Sequence, residues 1–155
     1  MVYKEYDDGF VVRRMMREDA KIVQKWYSGL CPTSCDLDIM LACYPDDQPG
    51  FYMGDYKGEV VASAMRIPVC DGVFYGSYYY VDDKHRGKGF GKRIRDDISM
   101  KHVGDNYLVV DAHAELEEMN QRRGFTSGFK VVLYRGRAPK GVPLDVPDGG
   151  RMAKV

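Results

Sequence analysis

Residues 78–95 read YYYVDDKHRGKGFGKRIR, and this stretch constrains the chain more than any other. An aromatic, strand-like run ends at Val81, three glycines follow at positions 87, 89 and 91, and helical character begins at Gly91. Glycine accepts positive φ at little steric cost, so glycines spaced in this way let successive amides turn toward one concave point. The helix that follows adds the positive end of its dipole. Lys84, Arg86, Lys88, Lys92, Arg93 and Arg95 surround the loop. A strand, a glycine loop and a helix in this order read as an anion cradle. The competing reading is a solvated basic turn.

The familiar phosphate loops do not fit. A Walker A loop needs Ser or Thr after its Lys, and Lys92 is followed by Arg93. A dinucleotide fingerprint needs G-x-G-x-x-G; Gly87 and Gly89 fit, but the closing position is Lys92. What remains is R-x-x-G-x-G, carried by Arg86, Gly89 and Gly91.

The segments before the loop read as antiparallel hairpins. FVVRRM (10–15) is a first strand, and REDAKIVQKWYSGL (17–30) is a helix with Ala20, Val23, Trp26, Tyr27 and Leu30 at helical spacing. Glu18 and Asp19 suit its positive end. A second short helix is expected in DLDIMLACYP, between Asp36 and Pro45, followed by a loop. Strands at 50–56, 59–69 and 73–81 are then joined by Lys57-Gly58 and Asp71-Gly72, both tight-turn dipeptides. Pro68 needs a bulge or an edge.

After the loop the order becomes helix (91–103), strand (106–112), helix (114–124, closed by Gly124) and strand (128–136). The fold class is therefore α/β, or α+β: a mixed sheet with antiparallel strands first and a β-α-β-α-β unit after them. Residues 1–137 are expected to form one domain. Residues 138–155, with Pro139, Pro143 and Pro147, read as a tail, a linker or a short closing strand.

Composition narrows the function classes. The 23 basic and 23 acidic residues cancel, so no global field draws the chain to nucleic acid or to a membrane surface, and an anion site must come from local clustering. No segment approaches the ~20 apolar residues of a membrane span. Cys31, Cys35, Cys43 and Cys70 lack the density of a disulfide framework, which favours reduced thiols and a cytoplasmic setting, the nucleus remaining open. Cys31 and Cys35 have no second pair to complete a zinc site, and no metal is expected.

YYYVDDKHRGKGFGKRI resembles the central motif of the GNAT (Gcn5-related N-acetyltransferase) superfamily, a strand ending in a Val-x-Pro-like step and then Q/R-x-x-G-x-G/A opening a helix. Val81 and Arg86–Gly91 match it, while Asp83 stands where Pro is frequent. The element order is similar over roughly residues 10–136, including Gly124-Phe125 after the last helix. The resemblance implies acetyl-CoA as acyl donor. It places the pyrophosphate on the amides of Gly87, Lys88, Gly89, Phe90 and Gly91, with Arg86 or Lys92 assisting. The main chain of Tyr79, Tyr80 and Val81 would pair with the pantetheine arm, and one amide near Tyr80 or Val81 would polarise the thioester carbonyl. An amine then attacks directly, without an enzyme nucleophile.

One position departs from the family. Members often carry a Tyr four residues before the terminal Gly as the acid that protonates the leaving thiolate, and here that residue is Asn120. Tyr80 and Tyr107 are the other candidate phenols. For the base, Asp82, Asp111 and His113 lie near strand ends that face the cofactor in the related fold; capping and simple surface placement compete for each. His85 and His102 read as surface residues.

Strict alternation places Tyr78 and Tyr80 on one sheet face and Tyr75 and Tyr79 on the other. One of these faces, with Trp26, Tyr27 and Tyr44, suits an apolar or aromatic amine, or a cation held over rings. The expected partner is thus a small-molecule or peptide amine, with a second domain or a second copy of the chain left open. Three alternatives stand beside the acetyltransferase: a degenerate acyl-CoA-binding domain without turnover; half of a two-domain acyltransferase; and an adaptor whose basic loop binds nucleic acid or a phosphoprotein, against which the neutral charge argues.

Overall fold

The computed structural model describes residues 1–28 and 50–129. The expected helix between Asp36 and Pro45, with Cys31, Cys35, Cys43 and Tyr44, lies outside the described residues. So do the tail and all but the first two residues of the last expected strand.

The chain divides into two compact units, Met1–His113 and a second beginning at Ala114. The first is built on a six-stranded sheet in the order β1-β2-β3-β4-β5-β6. Its strands are β1 (Val2–Glu5), β2 (Phe10–Arg14), β3 (Phe51–Tyr56), β4 (Glu59–Cys70), β5 (Val73–Val81) and β6 (Tyr107–Val110). Every neighbouring pair is antiparallel except β5–β6, which is parallel. This is the mixed sheet the sequence pattern implies. Lys57 and Gly58 both take positive φ, 53° and 86°, in the two-residue β3–β4 turn, and Gly72 does so at 74° in the β4–β5 turn. Pro68 sits at a register shift between Pro68 and Cys70, so its missing N–H falls at an irregularity.

β1 is an addition to the expected elements. Only Tyr3 of its four residues is partly buried, so hydrophobic patterning gives no signal; pairing to β2 makes the strand.

Helix α1 (Ala20–Ser28) follows a short 3-10 turn, Arg17–Asp19. Asp19 is buried and accepts both Arg13 Nη1 (2.6 Å) and Nη2 (3.0 Å), while Asp55 takes Arg13 Nε at 2.6 Å. Asp19 also accepts the Met16 amide at 2.7 Å, so one bidentate ion pair ties the entrance of α1 to the sheet. Helix α2 runs through Phe90–Lys92, a π-helical stretch Arg93–Ser99 and Met100–Val103.

The two helices cover opposite sheet faces. On the α1 face Met15, Ala20, Val23, Phe51, Met53, Met65 and Tyr78 form one core. On the α2 face Phe10, Val12, Tyr52, Val61, Ala62, Ala64, Phe90 and Ile94 form the other, with Phe10 and Phe90 stacked 4.3 Å apart. Burial of side chains this size is worth about 1.5–3 kcal/mol each, so the stack fixes the start of α2 firmly. Arg93 adds to this anchor: it donates to Asp8 at 2.7 and 2.8 Å and lies over the ring of Tyr6.

In the second unit a 3-10 turn (Ala114–Leu116) leads into α3 (Glu117–Arg122). Gly124 closes it at φ +90°, and the amides of Arg123 and Phe125 both donate to the Asn120 carbonyl.

Candidate functional site

The site grows from the way β5 ends. β6 pairs with β5 only from Val73–Tyr107 to Gly76–Val110. There β6 stops, while β5 runs on to Val81. On its other side β5 stays paired to β4, through Ser63–Tyr80 and Ala62–Val81, but with a register shift between Ser63 and Met65. Tyr78 and Tyr79 together oppose Ala64, and Tyr78 takes φ +50°, a left-handed conformation rare for a bulky residue.

This bulge changes the alternation of the tyrosines. Tyr75 lies opposite Ile67, which packs in the α1-face core, and cross-strand partners share a face. Tyr78 and Tyr80 meet Tyr27 and Trp26 of α1, at centroid distances of 4.9 Å for Tyr27–Tyr78 and 5.0 Å for Trp26–Tyr80. Tyr75 therefore shares the α1 face with Tyr78 and Tyr80, and Tyr79 turns to the α2 face, where it packs with Val81. Strict alternation puts Tyr75 with Tyr79; the extra residue of the bulge reverses that.

After Val81 the chain turns into the glycine loop. The Asp82 side chain accepts the Lys84 amide at 3.0 Å and caps a 3-10 turn, Asp83–His85. Gly87 and Gly89 both take φ +80°. A Cβ built on either would meet nothing within 4 Å, so glycine is required there by conformation and the loop faces open space. Gly91 is required for a different reason. Its Cβ would lie 2.6 Å from Tyr79 Oη and 3.0 Å from Val81 Cγ2, so the missing side chain lets α2 approach β5. The helical ladder opens with Arg93 N to Gly89 O at 3.1 Å. The amides of Phe90, Gly91 and Lys92 thus precede it at the helix's positive end. Val81, His85, Arg86, Gly87, Gly89, Phe90 and Gly91 line a concavity of about 370 Å³.

The six cations near the loop separate into two groups. Arg93 is held by Asp8, and Arg95 pairs with Asp96. Arg86 folds back: it pairs with Asp83 at 2.7 Å, donates Nε to Val81 O at 3.2 Å, and lies over the Tyr80 ring. Lys84, Lys88 and Lys92 are exposed, and Lys88 Nζ lies 5.3 Å from the Tyr56 ring centroid. The charge available to a ligand is mainly carried by lysines.

Of the acid–base candidates, Tyr80 donates weakly to Asp83 at 3.4 Å, and burial beside Asp83 raises its phenol above the ordinary value. Asp111 accepts the Tyr75 hydroxyl at 2.9 Å. His113 is exposed, at the end of the first unit. Asp82 is occupied as a cap. Tyr107 is exposed on β6.

Two histidines differ from their surface reading. His102 Nδ1 and the Tyr52 hydroxyl share a hydrogen bond (2.5 Å), the ring packs edge-on to Phe74, and burial lowers its pKa, assisted by Arg66. The His85 side chain is only 13% exposed, with Asp82 and Glu59 at 3.8 and 3.9 Å. It packs against Tyr56 and Phe90, apolar contacts that the charged residues around it in sequence conceal. Among the described residues no three His, Cys, Asp or Glu gather to hold a metal ion, and no helix is long and apolar enough to cross a membrane. Cys70 is a free, exposed thiol.

Comparison with known proteins gives concordant results. Residues 13–115 match the profile of the Acetyltransferase (GNAT) family. Holothin acyltransferase from Pseudoalteromonas sp. (strain SANK 73390) is 31% identical over 128 residues, covering 83% of this chain and 40% of that protein. The chain thus spans about two-fifths of the length of that curated relative. Among solved structures, Rv2747 from Mycobacterium tuberculosis in complex with CoA and NLQ superposes with a TM-score of 0.62 at 20% identity, covering 79% of this chain and 76% of that one. Glucosamine-6-phosphate N-acetyltransferase from Arabidopsis thaliana gives 0.56 at 16%, covering 81% and 97%. At these identities the structural likeness concerns the fold.

Proposed function

The chain belongs to the GNAT acetyltransferase family, and from that premise we propose that it transfers an acetyl group from acetyl-CoA to a primary amine. The observation that carries this reading is the loop: Gly87 and Gly89 at φ +80° with open space before both, at the head of α2. Such a loop presents amides to a pyrophosphate and needs no side chain to do so. The relative's name, Holothin acyltransferase, and the CoA held by Rv2747 support acyl transfer from a CoA thioester.

In this reading Gly87–Gly91 hold the pyrophosphate and Lys88 and Lys92 neutralise it. Arg86, tied to Asp83 and Val81 O, shapes the loop. The pantetheine arm lies along the last residues of β5, Tyr79–Val81, beyond the point where β6 ends, and a main-chain amide near Tyr80 or Val81 draws charge from the thioester carbonyl. The amine arrives from the α1 face, past Trp26, Tyr27, Tyr78 and Tyr80. These rings favour an acceptor with a flat or apolar body, or a cation over a ring. The attacking nitrogen forms the C–N bond, the C–S bond breaks, and the thiolate leaves. Tyr80, whose phenol burial holds above its ordinary value, stands on the strand that carries the thioester and is the proton donor to the sulfur in this reading.

Thiol release from acetyl-CoA against a panel of primary amines tests the reading. Amine-dependent release is expected. Release that no amine accelerates, with CoA still bound, would replace transfer with a binding domain that does not turn over.

A further inference from the structure

The Tyr75 hydroxyl and the Asp111 carboxylate meet at the fork of the sheet. Tyr75 is opposite Val109 of β6, and the last rung, Gly76–Val110, follows immediately. Asp111 lies two residues after Val109, so it returns to the face of Val109 and Tyr75. There Tyr75 Oη donates to Asp111 Oδ2 at 2.9 Å. Asp111 Oδ1 has no protein hydrogen bond among the described residues. The pair is on the α1 face, where Tyr78 and Tyr80 meet α1.

We propose that Asp111 is the general base that takes the proton from the acceptor's ammonium group, and that Tyr75 is a positioning residue holding its carboxylate with Oδ1 turned to the amine. This rests on the reading that the thioester lies along β5 beyond Gly76. Three features support it. The pair is located where β6 gives way, so a ligand on β5 passes beside it. It is exposed, so an amine reaches it without a buried path. The hydroxyl satisfies one carboxylate oxygen and fixes the orientation of the other, which is how a carboxylate base is aimed. Asp82 and Asp83, the carboxylates at the end of β5 itself, are engaged by the Lys84 amide and by Arg86.

An N–H bond of the ammonium breaks and its proton passes to Asp111 Oδ1, freeing the nitrogen lone pair. That pair forms the C–N bond at the thioester carbon. As the tetrahedral intermediate collapses, the C–S bond breaks with its electrons on sulfur, the nitrogen gives up a second proton, and the sulfur takes up one. Asp111 returns its proton to water.

The test compares two acceptors with acetyl-CoA as donor at neutral pH: a primary alkylamine, which is an ammonium ion there, and methoxyamine, which is neutral and has no such proton to lose. Asp111→Asn is expected to reduce kcat with the alkylamine by about 100-fold or more, the usual contribution of a general base, and by less than about threefold with methoxyamine. The KM for acetyl-CoA stays unchanged. Tyr75→Phe is expected to show the same amine-dependent loss at about tenfold, and Asp111→Glu, which keeps the carboxylate, recovers part of it. Equal losses with both amines, or none with either, would overturn the assignment and leave Tyr75–Asp111 as a clamp between β5 and β6. Should Tyr75→Phe fail to fold, the Asn and Glu variants decide between the same outcomes. A wild-type protein that turns over neither amine would instead remove the transfer reading on which this one rests.

Discussion

The Tyr79 hydroxyl occupies the space that a side chain on Gly91 would need, 2.6 Å from the ideal Cβ position. That contact sets how closely α2 approaches β5, and so where the glycine loop lies relative to the end of the strand. Gly91→Ala forces Tyr79 or the helix to move. We expect a loss of about 1–3 kcal/mol in stability, the usual cost of overpacking a tight contact, together with weaker acetyl-CoA binding. Gly87→Ala should cost about 1–2 kcal/mol from left-handed strain alone, since open space surrounds it. Chemical denaturation of the two variants, with Tyr79→Phe added to Gly91→Ala, separates the causes: Tyr79→Phe relieves the Gly91 variant only.

The cations around the loop should differ in what they do. Replacing Lys88 and Lys92 by Ala is expected to weaken acetyl-CoA binding by about tenfold each and to flatten its salt dependence. Arg93→Met should instead lower the melting temperature and leave affinity largely unchanged, because Arg93 is spent on Asp8 and on the rings of Tyr6, Phe10 and Phe90. Titrations at two ionic strengths, paired with melting curves, read both effects. An Arg93 variant that melts normally and fails to bind would contradict this division.

Acid should loosen the attachment of the β1–β2 hairpin to α2. Arg93, as a hydrogen-bond partner, lowers the Asp8 carboxyl from its ordinary value of 3.8, and Tyr6 and then Lys4 lower Asp97. A carboxyl whose folded pKa is depressed contributes stability above its unfolded value, and that contribution is lost as pH falls through the folded one. Melting temperature should therefore drop below about pH 4 in the wild type, and less steeply in Asp8→Asn. Parallel slopes would show that the pairing contributes nothing.

His102 gives a second pH window. Burial, and then the Arg66 guanidinium, depress its folded pKa below 6.5. The unfolded chain therefore takes up the proton first as pH falls, and the contribution of neutral His102 is full above 6.5 and declines below it. His102→Gln, which does not titrate, should remove the slope of melting temperature between about pH 6.5 and 5. Retention of the full slope would assign it to another group.

Much of the sheet was legible because its signals are local. Lys57-Gly58 and Asp71-Gly72 marked the hairpins, and the apolar run Tyr107–Val110 followed a helical stretch, as a parallel strand does. The glycine loop was legible as a cradle, but composition could not show that Gly87 and Gly89 are required by φ while Gly91 is required by Tyr79. The bulge at Tyr78 left no trace in the pattern, and one inserted residue was enough to move Tyr75 to the face of Tyr78 and Tyr80. The Tyr75–Asp111 pair stayed hidden for the same reason: it joins residues 36 positions apart across a parallel rung. His85 and His102, flanked by charges in sequence, gave no sign of the aromatic contacts that half-bury them.

The loop from Arg86 to Gly91 is expected to grip the pyrophosphate of a CoA thioester. Calorimetric titration of acetyl-CoA into the wild-type chain and into Gly89→Glu tests it most directly, with circular dichroism confirming that both are folded. One molecule bound per chain, and binding abolished in the folded variant, is the predicted result. Equal affinity in the two proteins, or no binding to the wild type, would contradict it.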